Sequence, residues 1–178
     1  MLPLADMKQV FATLEHGLEV ALVGRLNRED RALVSRLGLD EIVRTSGQLP
    51  HAEAVEYFNW ADLLYLPFWW SEKVGRVIRA PSKLYEYIGT RKPILAVVGD
   101  GDVRDVLRKA GTGVFCTEPS EEKLAERLVS VYENRAGLSK QCRANDDYID
   151  RFQWKNLTEE LASVIDAAIE QKSHAEVR

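Results

Sequence analysis

The sequence is poor in the residues that build disulfide frameworks, metal sites and histidine-based catalytic centres. It has two cysteines, Cys116 and Cys142, which are too few for a disulfide framework and too far apart for a C-x-x-C metal motif. Its three histidines, His16, His51 and His174, are scattered along the chain. We therefore expect buried thiols, surface histidines, no metal site and a reducing, cytoplasmic compartment.

Long apolar runs and a strong excess of one charge are also missing. No segment approaches the roughly 20 apolar residues that cross a membrane. Residues 1–16 carry Asp6, Lys8 and Glu15 where a signal peptide would be apolar. The formal net charge of -4 gives no general attraction to polyanions. The composition therefore predicts a soluble protein that binds no nucleic acid.

What the sequence does contain is an alternation of short apolar runs with longer segments of helical period. The candidate strands are residues 19–24, 42–46, 62–67, 94–98 and 113–117. The candidate helices are residues 4–15, 29–37, 51–60, 82–90, 103–110, 121–134, 138–151 and 154–171. Because most of the strands are apolar enough to be covered on both faces, this order predicts an α/β fold with a doubly wound, Rossmann-like parallel sheet.

The length of 178 residues is near the usual size of one domain. The alternation of strands and helices changes once along the chain. From Leu138 onward, helical segments follow one another without a strand. We therefore expect an α/β domain over residues 1–137 and a helical tail over residues 138–178 that packs on this domain or crosses from it. In such a fold, ligands bind beyond the carboxyl ends of the strands.

A basic island at residues 72–93 stands out in an otherwise acidic chain. Its cations are Lys73, Arg76, Arg79, Lys83, Arg91 and Lys92. Within it, Pro81 and Ser82 indicate a helix start, and a helix N-terminus with a lysine in its first turn attracts anions, most naturally phosphate. Ordinary capping by Ser82 in a surface turn explains the same residues, so both interpretations stay open at this point.

Glu86 lies one helical turn beyond Lys83, so the two side chains share a helix face. This places a carboxylate beside the candidate phosphate site, where it can accept hydrogen bonds from a ribose diol. The alternative is a surface ion pair between Lys83 and Glu86, which contributes a few tenths of a kcal/mol.

Six segments in a fixed order resemble the carboxyl-terminal domain of the glycosyltransferase group 1 family. They are T-S-G-Q-L-P (45–50), A-D-L-L-Y-L-P (61–67), P-S-K-L-Y-E-Y-I-G-T-R-K-P-I-L-A (81–96), A-G-T-G-V-F (110–115), S-E-E-K-L-A-E-R-L (120–128) and F-Q-W (152–154). The resemblance covers about residues 19–169 and implies the nucleotide-sugar-binding half of a two-domain GT-B enzyme. It implies a retaining, hexosyltransferase-like enzyme that makes glycosidic bonds in polysaccharide or glycoconjugate synthesis.

The resemblance also implies which residues bind the donor, a nucleoside-diphosphate sugar. Glu86 matches the glutamate that hydrogen-bonds the ribose hydroxyls, and Ser82 and Lys83 would hold the diphosphate. The base would contact one loop, formed by Ser46, Gly47, Gln48 and Leu49. The glycine permits close approach, although a plain strand-end turn has the same composition. The family site requires no cofactor or metal, and no catalytic residue is identified.

The chain departs from the family pattern in two places. In many members a glutamate that contacts the donor sugar lies eight residues before the ribose-binding one, whereas Ile78 stands at this position here, as in a subgroup with a P-S-K signature. Arg76 or Arg79 would then approach the phosphate or the sugar, unless both face solvent. The second departure is upstream, where complete enzymes have an acceptor-binding domain and a first strand with a Gly-Arg.

The second departure, upstream of this domain, leads to expectations about catalytic activity and cellular location. We expect this chain to lack the amino-terminal acceptor-binding domain, and we expect that domain to be its partner. Alone, the chain should transfer no sugar. We do not match Arg25 to the missing phosphate-binding arginine, because Val23, Gly24 and Arg25 match the second strand of the family domain. The full enzyme would work in the cytoplasm, either free or as a peripheral protein at the inner face of the membrane.

Three aromatic residues, Phe68, Trp69 and Trp70, follow the third strand and are expected at the interdomain cleft. There they would hold an acceptor or the other domain, or else pack under the helical tail.

Two other classes of protein share parts of the pattern. One is a small-ligand or signalling module of flavodoxin or receiver type, but a receiver needs an acidic cluster after its early strands, whereas the first strand here ends in Gly24 and Arg25. A sugar-nucleotide epimerase with the GT-B architecture is the nearer alternative. The P-S-K-L-Y-E-Y run favours the transferase.

Overall fold

The computed structural model describes residues 17–68, 80–118 and 120–176. Its strands are β1 (Val20–Val23), β2 (Val43–Gly47), β3 (Leu64–Phe68), β4 (Ile94–Val98) and β5 (Gly113–Cys116). Its helices are α1 (Arg28–Arg36), α2 (His51–Trp60), α3 (Ser82–Gly89), α4 (Asp102–Ala110), α5 (Glu121–Glu133), α6 (Arg135–Gln141), α7 (Asp146–Asp150) and α8 (Trp154–Glu176). The predicted α/β fold is confirmed, while the helix predicted over residues 4–15 lies outside the described residues.

The described strands form two parallel sheets, with the orders β1-β2 and β3-β4-β5. In the larger sheet, Ile94 of β4 pairs with Leu64 of β3 on one side and Gly113 of β5 on the other. Within each sheet the strands point the same way, so their carboxyl ends lie at one edge. This edge is where a doubly wound fold binds its ligands.

The central strand β4 shows why the sequence folds into layers. All five of its residues are buried, and they alternate between two hydrophobic clusters. Ile94, Ala96 and Val98 face the cluster that includes residues of α3, α4 and α7. Leu95 and Val97 face the cluster that includes residues of α5 and α6. An apolar strand covered on both faces is the arrangement that its sequence predicted.

Both cysteines are buried free thiols, as predicted from the sequence. Cys116 ends β5 and Cys142 follows α6, and burial raises the pKa of each thiol. Thiols of this kind are mostly protonated at neutral pH and unreactive.

The prediction of a single helix over residues 138–151 is wrong, because the chain forms two helices there, α6 and α7, with a break between them. Asn145 sits at the break and accepts a hydrogen bond from the Tyr148 N–H at 3.1 Å, which caps α7. The Asn145 N–H donates to the carbonyl of Ala110 at 2.9 Å, which ties the break to the end of α4. Leu138 and Ile149 are buried on either side of the break. The domain limit at residues 137/138 stays a prediction.

Helix α8 is long, but its charged residues interrupt every stretch that might cross a bilayer. Within the described residues, no helix is both long and apolar enough to span a membrane.

Candidate functional site

Helix α3 brings the predicted phosphate-binding residues to the carboxyl edge of the larger sheet. The chain leaves β3 at Phe68, reaches α3 at Ser82 and enters β4 at Ile94. Because β3 and β4 are parallel, the helix that connects them runs back along the sheet, and its N-terminus lies at the carboxyl edge. Ser82 and Lys83 therefore lie at the edge where α/β folds bind ligands.

Among the described residues, no side chain caps the start of α3. Pro81 occupies the N-cap position with extended backbone angles (φ -67, ψ 145), and Ser82 is the first helical residue. Of the two interpretations left open by the sequence, capping of this helix by the Ser82 side chain is therefore not what the structure shows. Helices leave their first N–H groups without partners inside the helix, and these groups, together with the dipole, attract an anion.

The two faces of α3 follow from its sequence. Leu84, Tyr87 and Ile88 are buried at spacings of three and four residues, so Lys83 and Glu86 point away from the core. No ion pair joins Lys83 to Glu86, although both lie in the described part of the chain. Burial, and next the charge of Glu86, raise the pKa of the Tyr87 phenol. Both side chains are exposed, and the Lys83 ammonium lies 6.0 Å from the centroid of the Tyr87 ring.

The loop predicted to contact the base begins with the last two residues of β2, Ser46 and Gly47, at the carboxyl edge of the smaller sheet. Gly47 has a left-handed backbone (φ 72), and its carbonyl accepts hydrogen bonds from the Gly24 N–H at 2.8 Å and the Ser46 hydroxyl at 3.1 Å. Gln48 is exposed and Leu49 is half-buried. In the described part of the chain, a Cβ atom added to Gly47 would meet no atom within 4 Å, so no described residue covers the backbone here.

Gly24 is a part of this loop region that sequence reasoning did not propose. It has φ 132, and no atom of the described residues lies within 4 Å of where a Cβ would be, as at Gly47 opposite it. The available signal was a glycine directly after an apolar strand, which is also the composition of an ordinary turn. Among the described residues, no hydrogen bond or ion pair joins this loop region to Lys83 or Glu86, so these groups lie on separate sheets without direct contact.

Two cations of the basic island hold the fold together instead of facing a ligand. Arg91 has a positive φ of 61 and reaches α7, where it bonds Asp146 at 2.5 Å and Asp150 at 2.7 Å. Lys92 donates to the carbonyls of Asn59 and of Ala61, the latter at 2.7 Å, at the end of α2. Cations at a helix C-terminus satisfy its last carbonyls. The island is therefore only partly available to anions.

The remaining predicted contacts of the island are not described. Lys73, Arg76, Ile78 and Arg79 lie outside the described residues. Their roles stay predictions.

Replacement of Lys92 by methionine tests whether this cation is structural. Lys92→Met keeps the apolar stem but removes the donor to two carbonyls, so we expect a loss of about 1 to 2 kcal/mol in the free energy of unfolding. Urea denaturation followed by circular dichroism measures it. Lys109→Met removes an exposed lysine of α4 and should change stability by less than about 0.5 kcal/mol. Equal losses for the two variants would show that the Lys92 contacts contribute nothing.

The aromatic residues divide between the core and the surface. Phe68 is half-buried against the β3–β4 core, while Trp69 and Trp70 lie outside the described residues. Phe152 of the F-Q-W segment packs on Tyr85 of α3, with ring centroids 4.9 Å apart. Trp154 of the same segment is 86% exposed. Within the described part of the chain, the segment therefore contacts the core through Phe152, while Gln153 donates a hydrogen bond to Asp150 of α7 at 2.7 Å.

A shallow cavity of about 270 Å³ lies away from α3, between the carboxyl end of β5 and one face of α5. Two of its charged residues, Lys123 and Glu126, already pair with each other at 2.8 Å. An opening between an edge strand and its following helix, with charges paired in this way, does not add to the site on α3.

An α/β domain with an uncapped helix start and open glycine backbone at the carboxyl ends of its strands has the features with which doubly wound folds bind anionic ligands. The family model "Glycosyl transferases group 1" matches residues 4–147. The chain belongs to this glycosyltransferase family.

Solved structures show the same fold. Sucrose-phosphate synthase from Thermosynechococcus elongatus is 14% identical, with a TM-score of 0.72 over 96% of this chain and 43% of that protein. Anabaena HepE in complex with UDP-glucose is 16% identical, with a TM-score of 0.68 over 91% and 44%. WaaG, a glycosyltransferase involved in lipopolysaccharide biosynthesis, is 22% identical, with a TM-score of 0.65 over 92% and 43%.

The three solved proteins are more than twice as long as the part of them that this chain matches. The chain spans less than half of each of the three proteins. Comparison with the sequences of curated proteins gives no match.

Proposed function

We propose that this chain is the donor-binding, carboxyl-terminal domain of a GT-B glycosyltransferase and that it binds a nucleoside-diphosphate sugar at the start of α3. The observation that carries the proposal is the uncapped N-terminus of α3 at the carboxyl edge, with Lys83 in its first turn. Membership of the group 1 family supports a glycosyltransferase. That HepE has been solved with UDP and with UDP-glucose supports a donor of this chemistry.

In this proposal the diphosphate lies against the N–H groups of Ser82 and Lys83. The bond that breaks joins the anomeric carbon of the sugar to a phosphate oxygen, and negative charge grows on the departing diphosphate. The helix dipole, the N–H groups and the Lys83 ammonium stabilise that charge. Such a site acts by electrostatic stabilisation, without a cofactor, a metal or a side-chain nucleophile. Arg76 or Arg79 would add a further cation to the phosphate or the sugar.

The nucleoside would extend from the diphosphate towards two further features. Glu86 lies one turn along α3 from Lys83 and would accept hydrogen bonds from the ribose hydroxyls. The base would lie against the backbone of the loop formed by Ser46, Gly47, Gln48 and Leu49. The open space at Gly47 supports this position, since a base could approach that backbone closely.

The whole enzyme is proposed to need a second domain. Because the chain spans 43% to 44% of the proteins that it resembles, an acceptor-binding domain of comparable size would be its partner. The full enzyme would transfer sugar with retention, in polysaccharide or glycoconjugate synthesis, in the cytoplasm or at the inner face of the membrane. The isolated chain would bind the donor without transferring its sugar.

Calorimetric titration with UDP, GDP and dTDP tests donor binding by the isolated chain. We expect saturable binding of at least one diphosphate and no release of sugar from the corresponding nucleotide sugar. No binding of any of the three would overturn the donor site. Turnover by the chain alone would instead show that the second domain is not needed.

Replacement of Glu86 by glutamine tests the ribose contact. Hydrogen bonds to a charged group contribute roughly 1.5 to 3 kcal/mol, so Glu86→Gln should weaken UDP binding about 10-fold or more. The melting temperature should stay unchanged, because the side chain is exposed and forms no ion pair with its neighbour Lys83. A UDP analogue without ribose hydroxyls is the control, and its affinity should not respond. A variant that binds UDP normally but melts earlier would mean that Glu86 is structural.

A further inference from the structure

Arg91 has a backbone conformation that glycine usually adopts. Its φ is 61, and among the described residues no other residue apart from glycines has a positive φ. This conformation has a steric cost for a residue with a Cβ atom, whereas glycine adopts it freely. A larger residue stays in such a conformation only where the surrounding structure holds it there. The contacts of the Arg91 side chain therefore need an explanation beyond the turn that contains it.

The guanidinium group of Arg91 joins the end of α3 to α7. Its Nη1 atom donates to the carbonyl of Gly89, the last residue of α3, at 3.1 Å. Its Nε atom donates to Asp146 at 2.5 Å, and its Nη2 atom donates to Asp150 at 2.7 Å. The two carboxylates lie one helical turn apart on α7, so the planar fork of one arginine spans the turn.

Asp150 extends this contact from α7 to the start of α8. Its Oδ1 atom also accepts a hydrogen bond from the side-chain amide of Gln153 at 2.7 Å. Its backbone carbonyl accepts hydrogen bonds from the Gln153 N–H at 3.0 Å and from the side-chain amide of Asn156 at 2.6 Å. Gln153 directly precedes α8, and Asn156 lies in its first turn. One side chain from the turn after α3 and two from the start of α8 therefore converge on Asp150.

We propose that Asp150, held in place by Arg91, sets the direction in which α8 leaves the domain. The four residues that meet there are called the bracket: Arg91, Asp150, Gln153 and Asn156. Arg91 is a positioning residue in this proposal, because it acts on α8 through Asp150. Since the bracket lies at the first turn of α8, it sets the starting direction of the helix whatever packs along it in the whole protein.

The other contact at the bend between α7 and α8 is apolar. The Phe152 ring lies 4.9 Å from the ring of Tyr85 and 5.4 Å from the ring of Tyr148, measured between centroids. Apolar burial has no directional preference, whereas hydrogen bonds weaken steeply when their angles change. The ring contact therefore holds the bend against α3, and the bracket sets its angle.

Helix α7 has attachments of its own that do not involve Arg91. Ile149 is buried in the core at 4% exposure. The Asn145 N–H donates to the carbonyl of Ala110 at 2.9 Å, and the Asn145 side chain caps the helix. Loss of the Arg91 fork should therefore loosen the bend and the start of α8 while α7 stays in place.

Site-resolved hydrogen exchange of the purified chain, measured by NMR, tests this division. Arg91→Gly removes the fork but suits the positive φ, so the domain should stay folded. The amide protons of Gln153 and Leu157 should exchange roughly 5- to 10-fold faster, because partly exposed, charge-assisted contacts at the bend are lost. The Ile149 amide, which donates to the Asn145 carbonyl, should exchange as in the wild type.

Distances between two spin labels test the direction of α8. Labels at Ser163→Cys in α8 and Lys109→Cys in α4 are both at exposed positions, and the native cysteines are buried and unreactive. The wild-type background should give one narrow distance distribution, and both Arg91→Gly and Asp150→Ala should broaden it. Asp146→Ala is the matched control, because it removes the other carboxylate of the fork and leaves the contacts of Asp150 in place.

Three outcomes would overturn the proposal. The first is a wild-type distance distribution in both Arg91→Gly and Asp150→Ala, or a broad one in the wild type itself. The second is equal broadening by Asp146→Ala and Asp150→Ala, since α7 as a whole would then direct α8. The third is faster exchange of the Ile149 amide to the same degree as that of Gln153.

The bracket and the donor site can be tested separately. Arg91 follows the last residue of α3, at the opposite end of this helix from Lys83. Arg91→Gly should therefore bind UDP as the wild type does. Failure of UDP binding in the wild type would leave the distance measurements unaffected.

Discussion

Replacement of Gly111 by alanine should destabilise the domain by about 3 kcal/mol. Gly111 ends α4 with a left-handed backbone (φ 71), and an added Cβ atom would overlap the carbonyl oxygen of Arg143. That carbonyl cannot move away easily, because Asn145 holds the same segment to Ala110 through a 2.9 Å hydrogen bond. Urea denaturation followed by circular dichroism measures the loss.

Gly38→Ala is the matched control for this prediction. Gly38 also has a left-handed backbone (φ 66), but no atom lies within 4 Å of where its Cβ would be. Gly38→Ala should therefore lower the free energy of unfolding only by the cost of the left-handed backbone, about 1 to 2 kcal/mol. The difference between the two variants isolates the overlap with Arg143. If Gly111→Ala and Gly38→Ala lose equal stability, the junction between α4 and the α6–α7 break is looser than the structure shows.

Replacement of Lys83 by alanine should weaken UDP binding by roughly 10- to 100-fold and leave uridine binding nearly unchanged. The physical reason is that the ammonium group acts on the diphosphate, which the nucleoside lacks. The interaction is partly exposed, so it should also weaken with salt, as the screening length falls from about 10 Å at 0.1 M to about 3 Å at 1 M. Calorimetric titration with both ligands at two salt concentrations measures these effects.

Two further variants test whether the loss of UDP affinity is specific to the start of α3. Lys109→Ala removes the same charge from the last turn of α4, at the opposite edge of the sheet, and should leave UDP affinity unchanged. Ser82→Ala should change the free energy of unfolding by less than about 0.5 kcal/mol, because this hydroxyl does not cap α3. Equal losses of UDP and uridine affinity on Lys83→Ala, or salt-independent UDP binding, would remove the phosphate site from the proposal.

The positions of the strands and most helices could be predicted because they depend on local patterns. Residues 51–60 and 94–98 were predicted with the observed limits, and the other strand limits differ by at most two residues. Apolar runs, helical periodicity and turn residues all act over a few positions, so one sequence suffices to read them. The family could be recognised for a related reason, since its motifs are short and keep their order.

The candidate site could be predicted only in part, because its capping and its ion pairs involve residues that are distant in sequence. Arg91 and Lys92 looked equivalent to Lys83 as members of one basic island. In the structure Arg91 pairs with Asp146 and Asp150, 55 and 59 residues away, and Lys92 caps a helix about 31 residues earlier. Nothing in the local pattern distinguishes a cation that holds the fold from one that faces a ligand.

Local sequence information was enough for the order of strands and helices, the buried central strand and the resemblance to group 1 glycosyltransferases. Periodicity and short motifs carry this information, and neither needs a partner elsewhere in the chain. Two features emerge only in the folded chain: the chain breaks at Asn145, and, among the described residues, α8 leaves large apolar side chains such as Trp154 and Leu161 exposed. Each of these depends on which distant backbone or side chain approaches a residue, or on the absence of one, and that is set only when the layers pack together.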